Sequence, residues 1–184
     1  MNKTLIITFL LLSIGCSYAQ ETYFTRSGQI YFISKTDAID IDATNNQVAS
    51  FFDLETGKIQ FAVLIKSFEF TLATAKEHFN EEYMESDKFP KAIFKGEIID
   101  FNKQKLLTDS ILQVIVKGEI TIRGITKDIE VPGKIRIQNK QVFASSDFKL
   151  SIDDFGIEVP KLVDHRVAKE VSVKVNMTYT PYKK

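Results

Sequence analysis

The chain has 184 residues, and its 24 Lys and Arg balance 24 Asp and Glu for a formal net charge of zero. That balance, with the signs interspersed, removes the electrostatic reason to expect nucleic acid or an anionic membrane surface as partner. A single cysteine, Cys16, excludes an internal disulfide and any multi-cysteine metal site.

Residues 1–19 read as an export signal and 20–184 as one domain. Met1-Asn2-Lys3 is a positive start, and Thr4–Gly15 is an apolar run too short to span about 30 Å of hydrocarbon. Ser17-Tyr18-Ala19 places small residues where a signal peptidase would cut, before Gln20. The competing reading makes Cys16 a lipoprotein acceptor, but Leu12 sits one place too far upstream for it. Cleavage also removes Lys3, which leaves 24 acidic against 23 basic residues, a balance of −1. About 165 residues remain without cysteine, enough for one domain held by its own core. The expected location is the periplasm or the exterior.

The mature chain opens with two weakly patterned runs, Gln29–Thr36 and Gln47–Leu54. Clear alternation begins where Ile59, Phe61, Val63 and Ile65 oppose Lys58, Gln60 and Lys66, the period of a strand with one dry face. A helical pattern then interrupts. Thr74 and Glu77 have capping-box spacing, and Ala75, Phe79 and Tyr83 fall four apart on one face. Phe89 before Pro90 bars the helix from running past Lys88. Strand Lys91–Ile99 follows, with Phe94, Gly96 and Ile98 opposite Lys95 and Glu97.

Leu112–Ile122 alternates throughout, as does the run from Ile129 to Ile137, with Gly124 supplying positive φ to the turn between them. Phe148, Leu150 and Ile152 alternate with Asp147, Lys149 and Ser151. Val171, Val173, Val175, Met177 and Tyr179 form the last dry face. About eight antiparallel strands and one short helix result, an all-β fold. A closed barrel and a two-sheet sandwich both satisfy the pattern; long strands without Cys or Trp fit the barrel better.

Signatures of catalysis are absent: no G-x-S-x-G, H-E-x-x-H, P-loop or dinucleotide fingerprint occurs. Asp40, Asp42, Asn45 and Asn46 lack the spacing and closing Glu of a calcium loop. The sequon Asn176-Met177-Thr178 falls mid-strand and reads as chance.

Three segments carry a resemblance. His78–Gly96 (HFNEEYMESDKFPKAIFKG), Val116–Pro132 (VKGEITIRGITKDIEVP) and Phe148–Ile157 (FKLSIDDFGI) resemble, in this order, signatures of the YceI-like family of exported lipid- and polyisoprenoid-binding proteins. Ile120 stands where a Leu is common in that family. The resemblance implies a lipocalin-like, elongated eight-stranded barrel with a helix against it, and a tunnel for an isoprenoid lipid, a quinone or another long amphiphile. It implies a carrier or reservoir, neither an enzyme nor a metalloprotein. A barrel filled by side chains that acts through its surface, and a weak carboxylate hydrolase at a barrel end, stay open as alternatives.

Under that implication the inward, ligand-facing positions are Phe32, Phe61, Val63, Phe94, Ile98, Val114, Val116, Ile120, Phe148, Leu150, Val173 and Val175. On the helix, Phe79 and Tyr83 would face the ligand, with His78 and Asn80 offering hydrogen bonds to a head group. Thr74–Glu85 is expected to act as a flap or plug hinged at Phe89-Pro90, and Ile157–Arg166, with His165, as a lid. A dimer is neither required nor excluded.

Overall fold

The computed structural model describes residues 21–107, 110–161 and 164–182. The expected signal segment, Cys16 and the cleavage point lie outside the described residues.

Long strands dominate: β1 (Thr22–Lys35), β2 (Asp40–Asp53), β3 (Lys58–Leu64), β4 (Glu69–Phe70), β5 (Lys91–Ile98), β6 (Leu112–Ile122), β7 (Ile125–Gln138), β8 (Gln141–Ser151) and β9 (Glu170–Pro181). They form one antiparallel sheet in the order β1-β9-β8-β7-β6-β5-β3-β2, which β1–β2 pairing closes into an eight-stranded barrel. The two-residue β4 is an appendage on β2, paired at Ala43↔Phe70 and Thr44↔Glu69. The barrel reading holds and the sandwich does not, because closure leaves no second sheet to pack against.

Turns place the two ends. Arg123 and Gly124 both take positive φ, 50° and 76°, in the two-residue connection of β6 to β7, a geometry that matches strand twist. That connection, the β1–β2 turn and the connection from β8 to β9 lie at one end, called the upper end here. The connections β2–β3, β5–β6 and β7–β8 lie at the lower end.

The lower end is solid. Phe52, Leu54, Leu106, Val142 and Tyr179 are each at most 2% exposed. Leu106 belongs to the short helix α2 (Lys103–Leu106), whose Asn102 side chain accepts from the Lys105 amide. A smaller cluster of Ile65, Met84, Ile152, Phe155 and Ile157 packs at the upper end.

The helical segment differs from expectation. Helix α1 (Ala73–His78) starts at Leu72 with no side-chain cap, so Thr74 lies inside it and the capping box does not form. Phe79–Tyr83 continue as a π-helical turn, in which Met84 N–H donates to the Phe79 carbonyl over 2.9 Å. The Asn80 side chain donates to the Lys76 carbonyl at 2.8 Å, occupying a backbone acceptor of the preceding turn. The segment ends well before Lys88, as Phe89-Pro90 demands.

Candidate functional site

The barrel encloses a cavity of about 570 Å³ between the solid lower end and the helical cap. Alternation builds its wall: side chains at every second position of a strand face inward. Val114, Val116 and Ile120 of β6 line it, with Phe148 and Leu150 of β8 and Val173 and Val175 of β9. Opposite stand Phe32 of β1, Phe61 and Val63 of β3, and Phe94 and Ile98 of β5. Met177 and Tyr179 make the floor.

The floor is pinned by one buried polar pair. Tyr179 Oη and Ser50 Oγ are 2.9 Å apart, and Ser50 Oγ donates to the Gln60 carbonyl at 2.8 Å. Burial raises the Tyr179 pKa, partly offset by the bond to Ser50, so the phenol stays neutral.

Glycine makes room for one wall residue. Gly96 and Gly118 face each other across β5 and β6. A Cβ on Gly118 would overlap the Lys95 carbonyl and the Gly96 Cα, and one on Gly96 would meet the Phe94 ring. With neither present, Phe94 lies along the wall 5.7 Å from the Phe61 ring.

At the upper end Phe79 stands among three rings, 5.5 Å from Phe32, 5.6 Å from Phe68 and 5.0 Å from Phe70. Aromatic pairs at these spacings attract beyond their buried area. His78, Phe79 and Tyr83 line the cavity. The His78 ring is committed, with Nδ1 2.8 Å from Glu82 Oε1, and both side chains are exposed. Asn80 does not line the cavity. Its amide is turned onto the helix backbone, and its buried Oδ1 has no hydrogen-bond partner among the described residues. In the expected lid, Ile157, Pro160 and Arg166 line the cavity, whereas His165 is exposed in a turn, Asp164–Arg166.

The sequence reading missed part of the wall. Met177 and Tyr179 share the phase of Val173 and Val175 and were legible there. Phe68 and Phe70 were not, because Phe68 lies outside any strand and the two-residue β4 has no period to read. Among the described residues no cluster of three or more His, Cys, Asp or Glu is arranged to hold a metal ion. Asp42 instead accepts from Thr71 Oγ1 at 3.3 Å.

A closed antiparallel barrel around an apolar cavity defines the class of this protein. A YceI-like domain matches residues 22–179, and the chain belongs to that family. Among solved structures it is similar to a polyisoprenoid binding domain from Saccharophagus degradans, at TM-score 0.75 and 10% identity, covering 89% of this chain and 99% of that one. It is also similar to Burkholderia cenocepacia BcnA, at TM-score 0.68 and 16% identity, with 82% and 95% covered. A Campylobacter jejuni YceI protein follows at TM-score 0.57 and 15% identity, with 100% and 94% covered. At these identities the likeness establishes the fold. No curated protein matches the chain.

Proposed function

We propose that this protein binds a long apolar ligand, a polyisoprenoid, an isoprenoid quinone or a related amphiphile, in the barrel, and acts as an exported carrier or reservoir with no catalytic role. The observation that carries this is the apolar cavity of about 570 Å³, within the ~300–1,000 Å³ typical of ligand pockets. Water is a poor occupant, since it needs two to four polar partners and this wall offers few. An apolar wall left without an occupant forfeits the dispersion contacts that a long apolar ligand supplies.

The family, and the similarity to a polyisoprenoid binding domain from Saccharophagus degradans, support the same ligand class. Each buried methylene gains ~0.8 kcal/mol relative to water, but the lipid's alternative home, a membrane, is equally apolar. Transfer then sits near balance, which suits a protein that must release what it holds. Solvent extraction of the purified mature chain followed by mass spectrometry is the test, and its intact mass also reports cleavage after Ala19. We expect one long-chain amphiphile per chain; no extractable lipid together with no uptake of a hydrophobic dye would refute the reading.

A further inference from the structure

Strands β7 and β8 are joined by a tight turn at Asn139 and Lys140, yet their ladder has only five pairs, Gln138↔Gln141 to Lys134↔Ser145. Beyond it both strands stay extended but part from each other. Strand β7 remains paired with β6 as far as Ile122↔Ile125, and β8 with β9 as far as Ser151↔Glu170. The upper half of the barrel wall is therefore split. Ile129 and Val131 on one side of the split and Ser146, Phe148 and Leu150 on the other all line the cavity. The split is framed above by the Arg123 guanidinium, which donates to the Gly156 carbonyl.

One residue stands where the ladder stops. Ser146 Oγ donates to the Pro132 carbonyl at 2.6 Å, so that carbonyl faces β8. In an extended strand a residue's N–H points to the same side as its C=O, and proline has no N–H. Continuing the register would oppose Pro132 to Asp147, a position at which the ladder lacks its donor. A second place where a ladder stops, beside β2, is sealed. Past the end of the β2–β3 ladder the fully buried Asn45 donates to the Leu64 carbonyl at 2.9 Å, and β4 covers the rest. At the β7–β8 split, among the described residues, one serine hydroxyl makes the only hydrogen bond across the strands beyond the ladder.

We propose that this split is a side window through which the apolar ligand enters and leaves, and that Pro132 keeps it open. The inference rests on the binding function proposed above. The helical cap is the competing exit, but it is tied at both ends, by Thr71 to Asp42 and by Glu85 to Arg123, and in its middle by the Phe79 ring cluster.

The test loads the full mature chain with diphenylhexatriene and follows its transfer to phosphatidylcholine vesicles by stopped-flow fluorescence. In one variant Glu130→Cys and Lys149→Cys, neither of which lines the cavity, are bridged by a short bis-maleimide across the window. In a second, Asp42→Cys and Thr71→Cys are bridged to pin the cap. Bridging the window is expected to slow transfer at least tenfold with unchanged dye per chain, whereas bridging the cap changes it less than twofold. Pro132→Val, which restores the N–H, is expected to slow transfer and to add amide protection along β7. Equal rates with and without the window bridge, or slowing only by the cap bridge, would overturn the window. Unchanged transfer in folded Pro132→Val would overturn the role of Pro132. A wild-type chain that takes up no dye would fail the binding function itself, a different result from dye that binds and exchanges indifferently to the bridge.

Discussion

Glu85 shows how one residue ties the helical segment to the barrel. It takes φ of 44°, and its carboxylate accepts from the Arg123 guanidinium at the β6–β7 turn. That hydrogen bond, aided by the charges of Arg123 and Lys88, lowers the Glu85 pKa against an opposing effect of burial. A carboxylate with a lowered folded pKa adds stability above its unfolded pKa of about 4.3 and loses it as the pH falls through the folded value. Glu85→Gln should therefore lower the thermal midpoint by a constant amount from about pH 5 to 8, and the difference should vanish in stronger acid. Melting curves of both proteins across that range check the sign; a difference that grows on acidification would contradict it.

At the scale of elements, the barrel distinguishes two glycines that look alike in the alternating pattern. Gly118 meets backbone atoms of β5 on its side-chain face, whereas the nearest neighbours of a Cβ on Gly133 are 3.4 Å away. Gly118→Ala forces the β5–β6 pair apart and should cost about 2–3 kcal/mol, the usual scale of overpacking. Gly133→Ala should fall within about 1 kcal/mol of wild type, since less chain entropy lost on folding offsets a mild contact. Urea denaturation midpoints of the two variants would separate these outcomes. The same contrast explains why alternation alone is an incomplete guide: both glycines occupy dry positions, but only the neighbouring strand decides which one has no room.

For the whole molecule, the cavity of about 570 Å³ is the property that closure of the barrel creates. Val116 and Val175 both line it from β6 and β9, as partly buried side chains at the edge of the core cluster. Replacing both by Phe should leave circular dichroism unchanged and abolish dye binding, because added volume in a hollow site displaces ligand and not packed neighbours. If the double variant instead unfolds, those positions are packed core. A ligand that binds only the folded state stabilises it by about 2.7 kcal/mol at a hundred times its Kd. The ligand-free chain should melt correspondingly lower.

The sequence by itself determined the dry faces of β3, β5, β6, β8 and β9, because a period of two survives wherever one face of a strand meets apolar neighbours. It also held the tight turn at Gly124 and the end of the helix before Phe89-Pro90, and of the candidate site residues read from it all but Asn80 line the cavity. Only the tertiary structure decided the rest. Strands β1 and β2 run to 14 residues each, but register shifts around Gly28 reverse their phase. Their inward positions include Ser34, Asn45 and Ser50, polar side chains satisfied by partners distant in sequence. No local pattern reveals that such residues are dry. The capping box at Thr74 lost to docking of Phe79 among three rings, since tertiary packing outweighs a cap of about 1 kcal/mol. Pro132 stood in plain view as one more outward position of β7. Its consequence, a wall split open beside a cavity, depends on which neighbour its carbonyl faces, and that is settled only when the barrel closes.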